Sequence, residues 1–502
     1  MSAAVTSRWD EVPTELRRPL LGGLRWTLWL AVAGVPFSYA TRVLLARVGP
    51  ECLAVFGLLL VYIGYVAAFL FLGGNAVAIR YVPALDARQR RDFLASYVAV
   101  LAAGWLPWVG LAALAPHTLR WLFGNLGGAH FALIMVLLAP LPILFSLLLA
   151  ALKGALELTA AQAIYRGVTL GMFAGVAALV LAAPHWLAGH AAGLLWGWYL
   201  FLMAAGIGAA AWRWRRQAAA GRPRWYLPRG FWGYLGGLQV SSMLGFFATQ
   251  LDVLLVWHAG GLRRLGDYVA LIALSATAIA AIKLLLDAHM TALTQGSARQ
   301  DAALTGALFR NCSRLLFPMI LLLGAGLACW ARPLLAIYGA AYAGLLPALR
   351  WLGPCAALAA MNFLLGSSLA ALGHPRAEIR AKCVRIAAFL ALFFPLWHAR
   401  GVEGAVLAWG GAELPYQAVN LWYLRRHAPF RLGWRRLYSA FLACVALTAI
   451  AVQGLQPGLA EGTAIWVAVA VAFFTLGGYS RAEIREQIHL FLPGAAALAG
   501  RA

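Results

Sequence analysis

Apolar runs of about twenty residues, long enough to cross a bilayer as helices, follow one another along the whole chain. They cover 24–48, 53–82, 93–115, 131–152, 163–183, 189–212, 231–258, 265–292, 308–330, 343–370, 379–397, 404–424, 437–455 and 463–480. The pattern predicts an all-α polytopic membrane protein of about fourteen transmembrane helices. The polar segments between the runs are short, none above about 18 residues, which leaves no room for a folded extramembrane domain. Composition agrees: 63% hydrophobic and 11% charged residues exclude an ordinary soluble core.

One stretch of this pattern occurs twice. Arg42 to Phe56 reads RVLLARVGPECLAVF, and Asp252 to Tyr268 reads DVLLVWHAGGLRRLGDY. Each is an apolar helix end, a glycine-containing turn, then an aromatic residue opening a long Ala/Leu-rich helix. Such helices resemble one another easily, but here the turn signals align as well. Two similar membrane halves are an architecture of transporters, which bind cargo near the bilayer midplane. The expected division is a cytoplasmic lead over 1–22, one six-helix lobe over 23–216 and a second over 217–430. A C-terminal helix pair and cytoplasmic tail fill 431–502.

A net charge of +23 raises the question of nucleic acid, and its placement answers it. With the N-terminus in the cytoplasm, the cytoplasmic segments hold Arg80, Arg88, Arg90 and Arg91, then Arg213 to Arg229, then Arg376, Arg380, Lys382 and Arg385, then Arg425 to Arg436. The opposite side keeps little beyond Arg47, Arg120, Arg263, Arg264, Arg332 and Arg400. A ratio of roughly 30 to 6 is a strong positive-inside bias, so the basicity sets topology, with both termini cytoplasmic. Basic loops also suit anionic lipid headgroups. Asp10, Glu11 and Glu15 precede the first apolar run, unlike a cleaved signal peptide.

Several chemistries are excluded. There is no Walker A lysine loop and no D-x-D pair. The tail from Ser480 to His489 carries a histidine without the aspartate and spacing of a lipid phosphatase. His117, His185, His190 and His398 lack zinc-ligand spacing, and the six cysteines form no C-x-x-C. No cofactor is expected, and the protein is not expected to be an enzyme.

At three places the residues resemble a known family. Leu44 to Leu58 (LLARVGPECLAVFGL), continuing to AIRYVP at Ala78 to Pro83, resembles the first helix pair of polysaccharide flippases. GSSLAALGHPR at Gly366 to Arg376 is similar to the family's break between the tenth and eleventh helices. GVEGAVLA at Gly401 to Ala408 is similar to its opening of the twelfth. These flippases belong to the multidrug/oligosaccharidyl-lipid/polysaccharide (MOP) exporter superfamily. Ala54 stands where the first motif usually has glycine. The resemblance implies two six-helix lobes in a V with an added C-terminal helix pair, alternating access, and a lipid-linked oligosaccharide as cargo.

Ionisable residues inside spans are costly and usually line a cavity or pathway. Here they are Arg25 and Arg42 in the first span, Asp252 in the seventh, Lys283 and Asp287 in the eighth, Arg350 in the tenth and Glu413 in the twelfth. Cations prevail, and guanidinium forks match phosphate oxygens, so Arg25, Arg42, Lys283 and Arg350 are the expected substrate ligands. Snorkelling to the interface is the alternative for Arg25 and Lys283. Asp252, Asp287 and Glu413 are the gate or coupling candidates. Arg42 and Asp252 occupy matching positions before Val-Leu-Leu with opposite charge, as an outer gate would need. Tryptophans can stack on sugars, but interfacial belts concentrate them too.

The resulting expectation is an inner-membrane flippase for an undecaprenyl-diphosphate-linked oligosaccharide repeat unit in exopolysaccharide or O-antigen assembly. Its partners would be that lipid, membrane lipids, and polymerase and chain-length proteins of the pathway, not nucleic acid. A membrane polymerase or ligase of the same pathway and a drug/proton antiporter are the alternatives. The topology is open to direct test: a reporter fused after Arg224 should report cytoplasmic, and one after Arg264 periplasmic. The opposite result at either site would overturn the charge-based orientation.

Overall fold

The computed structural model describes residues 34, 36–114, 131–155, 157–216, 221–298, 302–372, 374–428, 435–455 and 457–480, and every regular element among them is helical. In chain order these are α1 (36–48), α2 (Pro50–Tyr65), α3 (Gly74–Tyr81), α4 (Ala87–Leu114), α5 (Phe131–Leu138), α6 (Pro140–Gly154), α7 (Leu158–Ala182) and α8 (Pro184–Arg215). There follow α9 (Phe231–Ala298), α10 (Ala302–Cys329), α11 (Ala331–Tyr338), α12 (Leu346–Ala371), α13 (Pro375–Arg400), α14 (Val402–His427), α15 (Arg435–Leu455) and α16 (Leu459–Leu476).

Among the described residues nine helices are long and apolar enough to cross a membrane, or ten if α10 and α11, bent by 68°, make one span. The expected spans at 379–397 and 404–424 appear as α13 and α14, 26 residues each, but stand outside that set. Glu413, Gln417 and Asn420 lower the apolarity of α14. The expected spans 231–258 and 265–292 join into the single run α9, broken at Gly261 with φ 70° and ψ −174°. Only glycine adopts that backbone without strain.

Packing divides the chain into two compact units, residues 1–269 and 270–502. By sequence the halves meet at 216/217; by packing, the first part of α9 belongs with the first unit. Aromatic contacts explain this. Phe231 packs its ring against Tyr81, Phe93 and Tyr97 at 5.7–6.3 Å, and Phe246 lies 5.5 Å from Phe69. The segment leading into α9 is also pinned. Asp92 accepts from the Arg224 backbone N–H at 3.1 Å, and Ser96 Oγ accepts from that of Tyr226 at 2.8 Å. Asp92 is itself held by the Arg91 guanidinium at 2.8 Å.

In the second unit α12 is the central helix, packed against α10, α14 and α15. Of the window that qualifies its span, 89% is buried, against 17% for α16 at the periphery. Phe309, Phe317, Met361, Leu364, Phe441 and Phe473 form the apolar core there.

The second expected span, 53–82, is not one straight helix. α2 runs on through a π-helical turn, Val66–Leu70, and the chain then bends through Gly73 and Gly74, both at positive φ, before α3. Backbone groups freed by a break in hydrocarbon must be answered by protein. Gln239 of α9 does so twice: its Nε2 donates to the Ala68 carbonyl at 2.7 Å, and its Oε1 accepts from the Gly73 N–H at 3.2 Å. The Tyr97 hydroxyl donates to the Leu72 carbonyl, with the Gly74 carbonyl 3.3 Å away.

The two turns of the sequence repeat lie against each other. Gly266, just past the second turn, sits on the first-copy residue Pro50 so closely that a Cβ would overlap the Pro50 carbonyl. Gly266→Ala should therefore force the helices apart and cost about 1–3 kcal/mol, as overpacking does. Gly237, also in α9, has no atom within 4 Å of where its Cβ would be. Thermal unfolding of the purified protein should show a lower midpoint for Gly266→Ala and little change for Gly237→Ala. Equal midpoints would refute the close approach.

Candidate functional site

In the second unit, polar side chains of three helices meet around one buried carboxylate. Glu413 of α14 is 2% exposed. Its Oε1 accepts from Arg385 Nε of α13 at 2.7 Å, and its Oε2 accepts from Asn362 Nδ2 of α12 at 2.6 Å. Asn362 Nδ2 also lies 2.9 Å from the Glu413 carbonyl oxygen. One turn on, Gln417 donates to the Leu358 carbonyl at 2.9 Å and accepts from the Tyr438 hydroxyl of α15 at 2.6 Å. Residues four apart share a helix face, so Glu413 and Gln417 form a polar seam against α12. Each oxygen of Glu413 is taken, one by a guanidinium. The pair is neutral and offers a mobile cation no free carboxylate.

Arg385 was expected among the cytoplasmic charges with Arg376, Arg380 and Lys382; the structure adds that it has an ion-pair partner, Glu413. It lies ten residues into α13, with its side chain 12% exposed and turned onto Glu413. A signal for it was present. α13 and α14 are joined by a tight turn at Gly401, φ 56°, so positions at similar distances from the turn come together in an antiparallel pair. A buried glutamate on one arm then calls for a cation on the other. Lys382, one turn earlier, pairs instead with Glu378 on its own helix at 2.9 Å. At the mouth of the same helix pair His374 stacks on His427 at 4.3 Å, and burial, then His427, holds its pKa below the ordinary histidine value.

The other expected residues fall as follows. Arg350 of α12 is 4% exposed, and its Nη2 has no hydrogen-bond partner among the described residues. Asp252, 6% exposed, accepts from the Tyr268 hydroxyl at 2.7 Å across the Gly261 break, between its own helix and the next. Arg42 is half-buried in α1. Lys283 and Asp287 stand one turn apart in the later part of α9, and of these two residues only the backbone is described. Arg25 lies outside the described residues. Of the cysteines, Cys52, Cys329, Cys355 and Cys444 are buried and Cys383 is exposed.

No protein-family model and no curated protein matches the chain. Solved structures do. One is a multidrug resistance MATE family transporter of the MOP superfamily in an inward-facing conformation, at 14% identity and TM-score 0.64, over 80% of this chain and 97% of that one. Another is the lipid II flippase MurJ in an inward closed conformation, at 12% identity and TM-score 0.62, over 90% and 98%. A third is a MOP superfamily transporter from Pyrococcus furiosus described by the reverse polarity of its binding pocket, at 15% identity and TM-score 0.59, over 81% and 96%. At these identities the likeness shows the fold: an all-α, multi-pass membrane protein built like MOP transporters. These neighbours are transporters, not enzymes.

The Arg385–Glu413 pair makes a measurable claim. Arg385→Met leaves a buried carboxylate without its cation and should cost about 3–5 kcal/mol, while an apolar pair in the same place is near neutral. The double variant Arg385→Met/Glu413→Leu should therefore unfold close to the wild-type temperature and well above the single variant. Additive losses would show that the two side chains do not depend on each other.

Proposed function

We propose that the chain is a flippase that carries an undecaprenyl-diphosphate-linked oligosaccharide from the cytoplasmic to the outer leaflet of the inner membrane, without covalent change, for exopolysaccharide or O-antigen assembly. Arg350 carries the reading: a guanidinium buried in a span, with one nitrogen unpartnered among the described residues. A donor left unused in so apolar a place costs free energy, and an anionic ligand would recover it. A diphosphate offers oxygens in the geometry a guanidinium fork matches. Arg25, Arg42 and Lys283 join Arg350 in this reading from the sequence. Asp252 and Asp287 remain the gate and coupling candidates, Asp252 as the counterpart of Arg42, and Glu413 serves as half of a pair internal to its own unit.

The antiporter alternative fits less well. Exchange of a cationic drug for protons needs a buried carboxylate that can be emptied and refilled. Of the in-span carboxylates whose side chains are described, Glu413 is neutralised by Arg385, and Asp252 is engaged by Tyr268. A polymerase or ligase would need a sizeable outer loop, which the sequence lacks, and the structural neighbours are transporters.

The test is flipping in proteoliposomes, read as protection of the lipid-linked oligosaccharide from a membrane-impermeant glycosidase. Losing a desolvated cation facing a phosphate costs about 2–5 kcal/mol of binding, so Arg350→Gln should slow flipping at least tenfold. Arg350→Lys, which keeps the charge and loses the fork, should fall between. Wild-type flipping by Arg350→Gln would remove Arg350 from the site, and failure of the wild-type protein to flip this lipid would overturn the reading.

A further inference from the structure

The break in the second span brings together an aromatic cluster that the reading above does not use. Tyr65 and Phe69, on the last turn of α2 and its π-helical extension, stack at 4.9 Å and 25°. Trp108 of α4 meets Tyr65 edge-on at 5.8 Å and Phe69 at 6.2 Å. From α9, Phe246 approaches Tyr65 at 6.2 Å, and Phe246 and Phe247 approach Phe69 at 5.5 and 5.8 Å. All of this lies in the first unit. Tyr65 is fifteen residues from Pro50, about 23 Å of helical rise, so the cluster sits half-way along the segment 50–81.

A packed aromatic core needs no hydroxyl, and this one has one. Tyr65 is 4% exposed, and its hydroxyl has no hydrogen-bond partner among the described residues. Nearby polar side chains are treated differently: the Gln239 amide and the Tyr97 hydroxyl answer backbone groups of the break. Buried hydroxyls that pack for shape alone normally find such a partner. A π-bulge in a helix is frequently a functional position as well.

We infer that Tyr65, with Phe69 and Trp108, is a sugar-reading site: a pyranose ring stacks on the aromatic faces, and its hydroxyl or ring oxygen pairs with the Tyr65 hydroxyl. This rests on the flippase reading and adds to it that the glycan, as well as the diphosphate, is recognised. Aromatic faces present the apolar side of a sugar with a surface to cover, and the lone hydroxyl supplies the directional contact. The cluster spans α2, α4 and α9, so the rings present their faces to cargo only when α9 moves away from α2. In the present conformation they cover one another.

The unpartnered hydroxyl makes the test sharp. Tyr65→Phe removes no hydrogen bond given by the structure, so its unfolding temperature should equal or exceed that of wild type. Binding to the full-length purified protein is measured for two probes, undecaprenyl diphosphate and the same lipid bearing a hexose disaccharide. Wild type should prefer the glycosylated lipid. Tyr65→Phe should bind it about tenfold more weakly and bind the bare lipid as before. Phe69→Leu, which keeps apolar volume and removes the stacking face, should give the same selective loss and serves if Tyr65→Phe misfolds. Unchanged binding of the glycosylated lipid by both variants, equal loss for both lipids, or no wild-type preference would overturn the sugar site while leaving the flippase reading standing. Failure of wild type to bind either lipid would overturn both.

Discussion

Inside hydrocarbon no water answers a backbone or side-chain polar group, so each one must find its partner within the protein. That constraint makes nearly every described residue helical, and it fixes where the exceptions stand. The π-helical turn and bend after α2 exist because Gln239 and Tyr97 answer the groups the break sets free. Indole nitrogens follow the same rule. Trp105 donates to the Val136 carbonyl at 2.8 Å and Trp466 to the Leu322 carbonyl at 2.8 Å. Glu413 is tolerated at 2% exposure because Arg385 and Asn362 cover both its oxygens. Against this pattern, Arg350 Nη2 and Tyr65 Oη, buried and without a partner among the described residues, stand out.

These two atoms differ in kind, and the difference matters for cargo. Arg350 Nη2 is a charged donor, suited to an anion. Tyr65 Oη is a neutral group set in aromatic rings, suited to an uncharged polar ring. A lipid-linked oligosaccharide carries both chemistries in one molecule, a diphosphate joined to sugars. A cationic drug carries neither. Charge alone does not separate a diphosphate lipid from any other anionic amphiphile; the proposed aromatic site would add that discrimination, since specificity is a difference of affinities.

Much of the fold could be read from hydrophobic runs alone. The expected spans 163–183, 343–370 and 437–455 reappear as α7, α12 and α15 within a few residues, because a twenty-residue apolar run has one stable form in a bilayer. The breaks were harder. Gly49, before Pro50, was visible as a turn, and the repeat placed a second turn near Gly261. The π-helical turn at Val66–Leu70 was hidden, since no proline marks it and an apolar window reads straight through it. Side-chain pairing was only partly legible, for a related reason. Glu413 could be named from sequence as a costly residue, but its partner depends on how α13 and α14 fold back at Gly401, which hydropathy does not encode. Tyr65 was lost among many aromatics because nothing in a sequence tells a satisfied hydroxyl from an orphaned one.

The two stretches that share the turn pattern use similar pieces differently. In the first copy, the helix after the turn, α2, breaks within the membrane and gathers aromatic residues around the break. In the second, the chain passes the Gly261 turn and runs on as helix to Ala298, with Asp252 and Tyr268 tied across the turn. That tie joins a helix end to the helix after it, so the two arms of the second turn are held by a side-chain bond as well as by backbone. The first turn relies instead on Pro50, which presets the helical φ at the start of α2 with Glu51 beside it in the first turn. Gly266 lets these two differently built turns press together. A pair of turns so closely packed, one proline-set and one bridged by a carboxylate, fixes the start of α2 against the helix that follows Gly261.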